Sequence, residues 1–95
     1  MPVVEIKNHK DYINFLKNKK TIIFFGSEMC GHCKTITPVF EKLSKKYPKV
    51  SFGHVETTKV KTKNIGGVPV FVAYPSEEVV TGANEKAIIS VLENL

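Results

Sequence analysis

The chain has no tryptophan and no arginine, and only two cysteines in 95 residues. Each scarcity excludes something. Arginine supplies the planar fork that grips phosphate and base edges with paired hydrogen bonds. A net charge of +5 in which all 14 basic residues are lysine therefore argues against a specialised nucleic-acid reader. Lys45, Lys46, Lys49, Lys59, Lys61 and Lys63 read as a solvated face, with a weak capacity to steer acidic partners as the other reading. Two cysteines are too few to staple a small secreted domain, so hydrophobic packing must hold the fold together. No apolar run approaches the roughly 20 residues that span a bilayer. The opening MPVVEIKNHKDY shows no basic segment followed by an apolar one, and SVLENL carries no lipidation or retention signal, so the expected compartment is a reducing cytoplasm. There a close cysteine pair reads as catalytic or metal-binding rather than structural.

What is present fits an ordinary globular domain, with 42% hydrophobic and 24% charged residues, and one domain over residues 1–95 is expected. Val3–Ile6 reads as a short strand, and His9–Asn18 as a helix with Tyr12, Ile13, Phe15 and Leu16 on one stripe. TIIFFGS, residues 21–27, is a continuous apolar run of the kind buried on both faces. A helix from about Cys30 to Tyr47 follows, with Ile36, Val39, Phe40, Leu43 and Tyr47 at helical spacing. VSFGHVE, residues 50–56, alternates as a strand, and TTKVKTKN reads as a loop with room for one helical turn. VPVFVAY, residues 68–74, is a second buried strand, and Pro75–Ser76 turns the chain into Glu78–Thr81. Gly82 then precedes a last helix, with Asn84 as its N-cap and Glu85 in its first turn. The order implies an α/β sandwich with helices on both faces of a central mixed sheet.

The chemistry gathers in SEMCGHCK, residues 27–34, where a buried strand gives way to a helix. A helix N-terminus carries unpaired N–H donors and about half a positive charge, so it stabilises a thiolate. Such a position lowers a cysteine from about 8.5 by one to several units, each worth roughly 1.4 kcal/mol. Cys30 lies nearest those donors and solvent, whereas Cys33, one turn in, keeps its proton more readily. Residues i and i+3 are neighbours on a helix, which suits a disulfide. Gly31 leaves space beside the reactive sulfur. His32 can add positive charge near the Cys30 thiolate, which would make the disulfide a better oxidant; its plainer reading is an exposed loop residue.

Here the chain resembles the thioredoxin family. TIIFFGSEMCGHCKTITPVF is similar to the family's second strand, active-site turn and second helix, including Lys34 after the motif and Pro38 at the place of the helix-kinking proline. GGVPVFVAY resembles the strand that follows the family's cis-proline loop, and VTGANEKAIISVLENL its closing glycine and last helix. The resemblance covers essentially the whole chain in order. It implies a thioredoxin fold and a protein thiol–disulfide oxidoreductase, with Cys30 as nucleophile, Cys33 as resolving thiol and the cis residue Pro69 against the dithiol. Met29, Gly31, Val68, Gly82 and Ala83 would then line a shallow substrate groove. No cofactor beyond the redox-active disulfide is implied, and no metal. The implied partners are protein disulfide or dithiol substrates and a reductase or oxidase that recycles a monomer, with neither nucleic acid nor membrane.

The sequence also departs from the family. The buried aspartate six residues before the first cysteine is Phe24, the tryptophan before the motif is Met29, and the central Gly-His pair is that of protein disulfide isomerase domains. Another base must then serve Cys33. His54, on a strand face with Val50 and Phe52, is the first candidate, and Glu28 and Glu56 are ranked lower as solvated groups. Three other readings stand beside the oxidoreductase. A zinc site with His32 or His54 lacks a second paired motif. A glutaredoxin-like protein lacks the expected segment after the last strand. A non-catalytic thioredoxin-fold interaction module would have no use for both sulfurs.

Overall fold

The computed structural model describes residues 3–27, 30–57, 69–74 and 76–95. Its elements are β1 (Val3–Ile6), α1 (His9–Phe15), β2 (Thr21–Gly26), α2 (Gly31–Lys46), β3 (Ser51–Glu56), β4 (Val70–Tyr74), β5 (Val79–Thr81) and α3 (Glu85–Glu93). The strands form one five-stranded sheet in the order β1-β3-β2-β4-β5. β3 runs parallel to both β1 and β2, while β4 is antiparallel to β2 and β5 to β4.

β2 is central because every residue of TIIFFG is buried, and a strand covered on both faces needs no polar alternation. Its side chains divide between two cores. Ile22 and Phe24 join Phe52, Phe71 and Ala73 against α2 and α3, which contribute Ile36, Phe40, Leu43, Ile88 and Leu92. Ile23 and Phe25 face the other way, with Ile6, Val55, Tyr12 and Phe15. No tryptophan is available, and phenylalanines fill the first core. The Phe24 ring stacks on Phe71 at 4.8 Å and meets Phe40 edge-on at 5.4 Å, and each such pair adds about 0.5–1.5 kcal/mol beyond the area it buries.

The helices begin where side chains cap them. Asn8 Oδ1 accepts the Asp11 N–H at the start of α1, and Asn84 Oδ1 accepts the Ala87 N–H at the start of α3, as expected from sequence. α2 continues through Pro38 and ends with Lys45 and Lys46 in its last turn, where cations suit the helix dipole.

Two expectations change. α1 stops at Phe15 rather than Asn18, because the next N–H groups tighten into i→i+3 bonds and Asn18 Nδ2 donates to Phe15 O at 2.8 Å. Ile13 is 45% exposed: Tyr12 and Phe15 face the sheet, and Ile13, one residue on from Tyr12, lies about 100° around the helix. The segment TTKVKTKN falls outside the described residues except for its first threonine.

Candidate active site

The buried run of β2 delivers the chain to the start of α2, and Cys30 is the N-cap of that helix. Its sulfur accepts the Cys33 backbone N–H at 3.1 Å, so one of the orphan donors of the helix points at Cys30 Sγ. Cys30 is half-buried and Cys33 buried, and both are free thiols. The expected order therefore holds: an accessible sulfur at the helix end and a shielded one a turn inside. The Cys33 side chain is only 5% exposed. Its thiol is pushed up to about 11, first by burial, then by its hydrogen bond to Cys30, with the charges of Cys30 and Glu56 acting in the same direction; a backbone hydrogen bond from Ser27 pulls the other way.

The backbone around Cys33 is fitted to it. A Cβ on Gly26 would lie 2.9 Å from the Phe24 ring and 3.3 Å from Cys33 Sγ, so only glycine lets the strand end approach the thiol this closely. Thr37 Oγ1 donates to Cys33 O at 2.7 Å.

The other residues implied by the resemblance separate into groups. Gly31 and His32 are exposed on the first turn of α2, and a Cβ on Gly31 would meet nothing within 4 Å. Pro69 is buried, and its carbonyl accepts the Gly82 N–H at 2.9 Å. That bond joins the proline expected against the dithiol to one of the expected groove residues. Gly82 has φ +84°, a backbone region that side chains disfavour, and Ala83 beside it is exposed. Met29, Val68 and Glu28 lie outside the described residues.

On the inner side of the dithiol is a cleft of about 330 Å³ lined by Phe24, Ser27, Cys33, Lys34, Thr37, His54 and Glu56. His54 falls on the expected face, its ring 5.0 Å from that of Phe24. It is not alone there: Nδ1 lies 2.6 Å from Glu5 Oε1, in keeping with the β1–β3 register that sets Glu5 beside His54. Glu56 corrects the expectation of a solvated group, being only 8% exposed. It is the last residue of β3, in register with Gly26, and therefore beside the residue on which the Cys33 sulfur rests. The period-two alternation of Phe52, His54 and Glu56 was the available signal. The Glu5–His54 pair depends on which strand neighbours β3, and nothing local in the sequence encodes that. Among the described residues no group of three His, Cys, Asp or Glu side chains is placed to hold a metal ion.

The thioredoxin family model matches residues 2–94. Thioredoxin-3 of Dictyostelium discoideum is 35% identical over 98 residues, spanning 96% of this chain and 94% of the relative. Thioredoxin 1 of Plasmodium falciparum is 34% identical over 84 residues, spanning 81% of each. Among solved structures, Schistosoma mansoni thioredoxin superposes with a TM-score of 0.88 at 31% identity, covering 98% of this chain and 94% of the other. With a half-exposed thiol capping a helix, a buried partner thiol one turn on and relatives matched along nearly their full length, this chain belongs to the thioredoxin family and is a protein thiol–disulfide oxidoreductase.

Proposed function

We propose that the protein reduces disulfides of protein substrates in a reducing cytoplasm, as a monomer whose only redox group is the Cys30–Cys33 pair. The observation that carries this reading is the unequal placement of the two sulfurs. Cys30 is accessible and receives a backbone N–H, so it is the sulfur that can hold negative charge and meet a substrate. Its thiolate attacks one sulfur of the substrate disulfide. A bond forms between Cys30 Sγ and that sulfur, and the other substrate sulfur leaves as a thiolate that takes a proton from solvent. Cys33, once deprotonated, then attacks Cys30 Sγ. The Cys30–Cys33 disulfide forms, the second substrate thiol departs, and two electrons have passed to the substrate. A reductase that supplies two electrons returns the pair to dithiol.

His32, exposed on the first turn of α2, can add positive charge or a hydrogen bond near the Cys30 thiolate, and either favours the reduced form. About 30 mV of potential corresponds to roughly 1.4 kcal/mol in a two-electron couple, so this one side chain can tune how readily the protein accepts electrons back. Gly31, Gly82 and Ala83 are the groove residues against which an extended substrate lies, with Gly82 tied to the Pro69 carbonyl.

The test is reduction of a disulfide-bonded protein with a small dithiol as electron source. Cys30→Ser is expected to abolish turnover. Cys33→Ser is expected to form mixed disulfides with substrate that persist on a non-reducing gel. Turnover that survives Cys30→Ser would refute the reading.

A further inference from the structure

The resolving step asks more of Cys33 than of Cys30. A thiol does not displace a thiolate; it must first give up its proton, and Cys33 is buried beside a cleft that β2 lines with Phe24 rather than with an acid. The proton needs an acceptor in that cleft and a way out of it.

The cleft beside Cys33 contains both. Glu56 is the one carboxylate among its described lining residues, and it is more than nine-tenths buried. Its strand partner Gly26 is the residue against which the Cys33 sulfur packs, a Cβ there falling 3.3 Å from Sγ. Glu56 and Cys33 are close enough that the carboxylate charge acts on the thiol. His54 lies two residues back on the same face of β3, partly open to solvent at 24% side-chain exposure, with Nδ1 held by Glu5 at 2.6 Å. An ionised carboxylate only accepts hydrogen bonds, so Nδ1 carries the proton of that bond and Nε2 is the ring atom left to accept one. Glu5 is 57% exposed on its side chain and marks the solvent end of the series.

We propose that Glu56 takes the proton Cys33 releases as it resolves the mixed disulfide, and that His54, oriented by Glu5, passes that proton to solvent. The proposal rests on the oxidoreductase reading above and specifies the proton movement within it. As the Cys33 S–H bond breaks, its proton moves to a Glu56 carboxylate oxygen, directly or through a water held in the cleft, which is large and polar enough for one. The sulfur keeps the electron pair and forms the bond to Cys30 Sγ. Glu56 then returns to carboxylate by passing the proton to Nε2 of His54 or to water. The charged and titratable groups facing Glu56 fit the role. Among the described residues these are Lys34 from α2, Cys33 itself and the Glu5–His54 pair, with Ser27 and Thr37 as polar neighbours.

The proposal makes an unusual demand on one variant. The Glu56 charge helps hold the Cys33 thiol in its protonated form, so Glu56→Gln must make that thiol more acidic. On electrostatics alone the resolving step would then quicken near neutral pH. If Glu56 is the acceptor, the step must slow instead. Reduced protein is mixed in a stopped-flow cell with one equivalent of a symmetrical disulfide whose thiol absorbs light. The first leaving thiol reports attack by Cys30, and the second reports resolution by Cys33.

For Glu56→Gln the first phase is expected at the wild-type rate and the second about 10²-fold slower at pH 7, the gap closing at high pH as hydroxide takes over. Glu56→Asp is expected to recover part of the loss. Carbon-13-labelled cysteine, followed by NMR, is expected to show Cys33 of Glu56→Gln titrating at lower pH than wild type, which also establishes that the variant keeps a folded cleft. His54→Gln is expected to slow the second phase in weakly buffered solution, with added imidazole restoring it. A second phase at or above the wild-type rate in a folded Glu56→Gln protein overturns the proposal, as does an unmoved Cys33 titration. An imidazole-insensitive His54→Gln rate removes His54 from the route. Absence of the second phase in the wild-type protein would instead defeat the dithiol reading on which the proposal stands.

Discussion

Phe24 shows how one residue redirects the chemistry of its neighbours. It occupies the family's place for a buried aspartate, but here it is 1% exposed, stacked on Phe71 and edge-on to Phe40. An acid restored there would leave a hole in an aromatic cluster and set a carboxylate against the remaining rings. Removing a buried phenylalanine costs about 3–5 kcal/mol before any charge is counted. Phe24→Asp is therefore expected to lower unfolding stability by at least that amount, seen as a large drop in the urea midpoint. A midpoint close to wild type would show that the cluster is not what holds this face together. The cysteine pair and its division of labour were legible from the sequence because spacing and helix position are local properties. For Glu56 only the period-two alternation with Phe52 and His54 pointed inward, since burial at a strand end depends on packing from outside the strand.

At the scale of elements, the chain declares itself wherever pattern and packing agree. The apolar run of β2, the stripe of α2 and the Asn84 cap of α3 are each produced by local chemistry that the sheet then reinforces. The end of α1 is different, because a side chain and two tightened turns close the helix within a stretch that retains helical periodicity. The β1–β3–β2 order is a further step removed. It sets Glu5 beside His54 and Gly26 beside Glu56, and no local pattern specifies it. The loop between β5 and α3 depends on backbone more than on side chains. Gly82 adopts φ +84° with open space around it, and its N–H ties the loop to Pro69. Gly82→Ala meets no steric obstacle but must adopt a left-handed conformation, at a cost of about 1–2 kcal/mol. Denaturant unfolding is expected to report that loss, whereas a neutral substitution would mean that the backbone at this position is not constrained.

For the whole molecule, the raised Cys33 thiol couples folding to redox state and pH. A thiol that titrates higher in the folded protein than in the unfolded chain binds its proton more tightly when folded. The stability it contributes is complete below the unfolded cysteine value and fades as pH rises through about 11. The reduced protein is therefore expected to lose stability between about pH 9 and 11 by an amount on the order of 2 kcal/mol. The disulfide form has no thiol to titrate and should lack this component. Comparing the two forms cancels the tyrosines and lysines that titrate in the same range, so parallel stability curves would contradict the assignment.

The redox chemistry depends most on Cys30 and Cys33 forming one reversible two-electron couple. Equilibrating the protein across a series of glutathione redox buffers, quenching with acid and alkylating the free thiols allows mass spectrometry to count them at each poise. The expected result is a single transition in which both thiols disappear together and return on reversal, and which is lost in Cys33→Ser. Cysteines that oxidise independently, or that stay as thiols across the whole series, would contradict it.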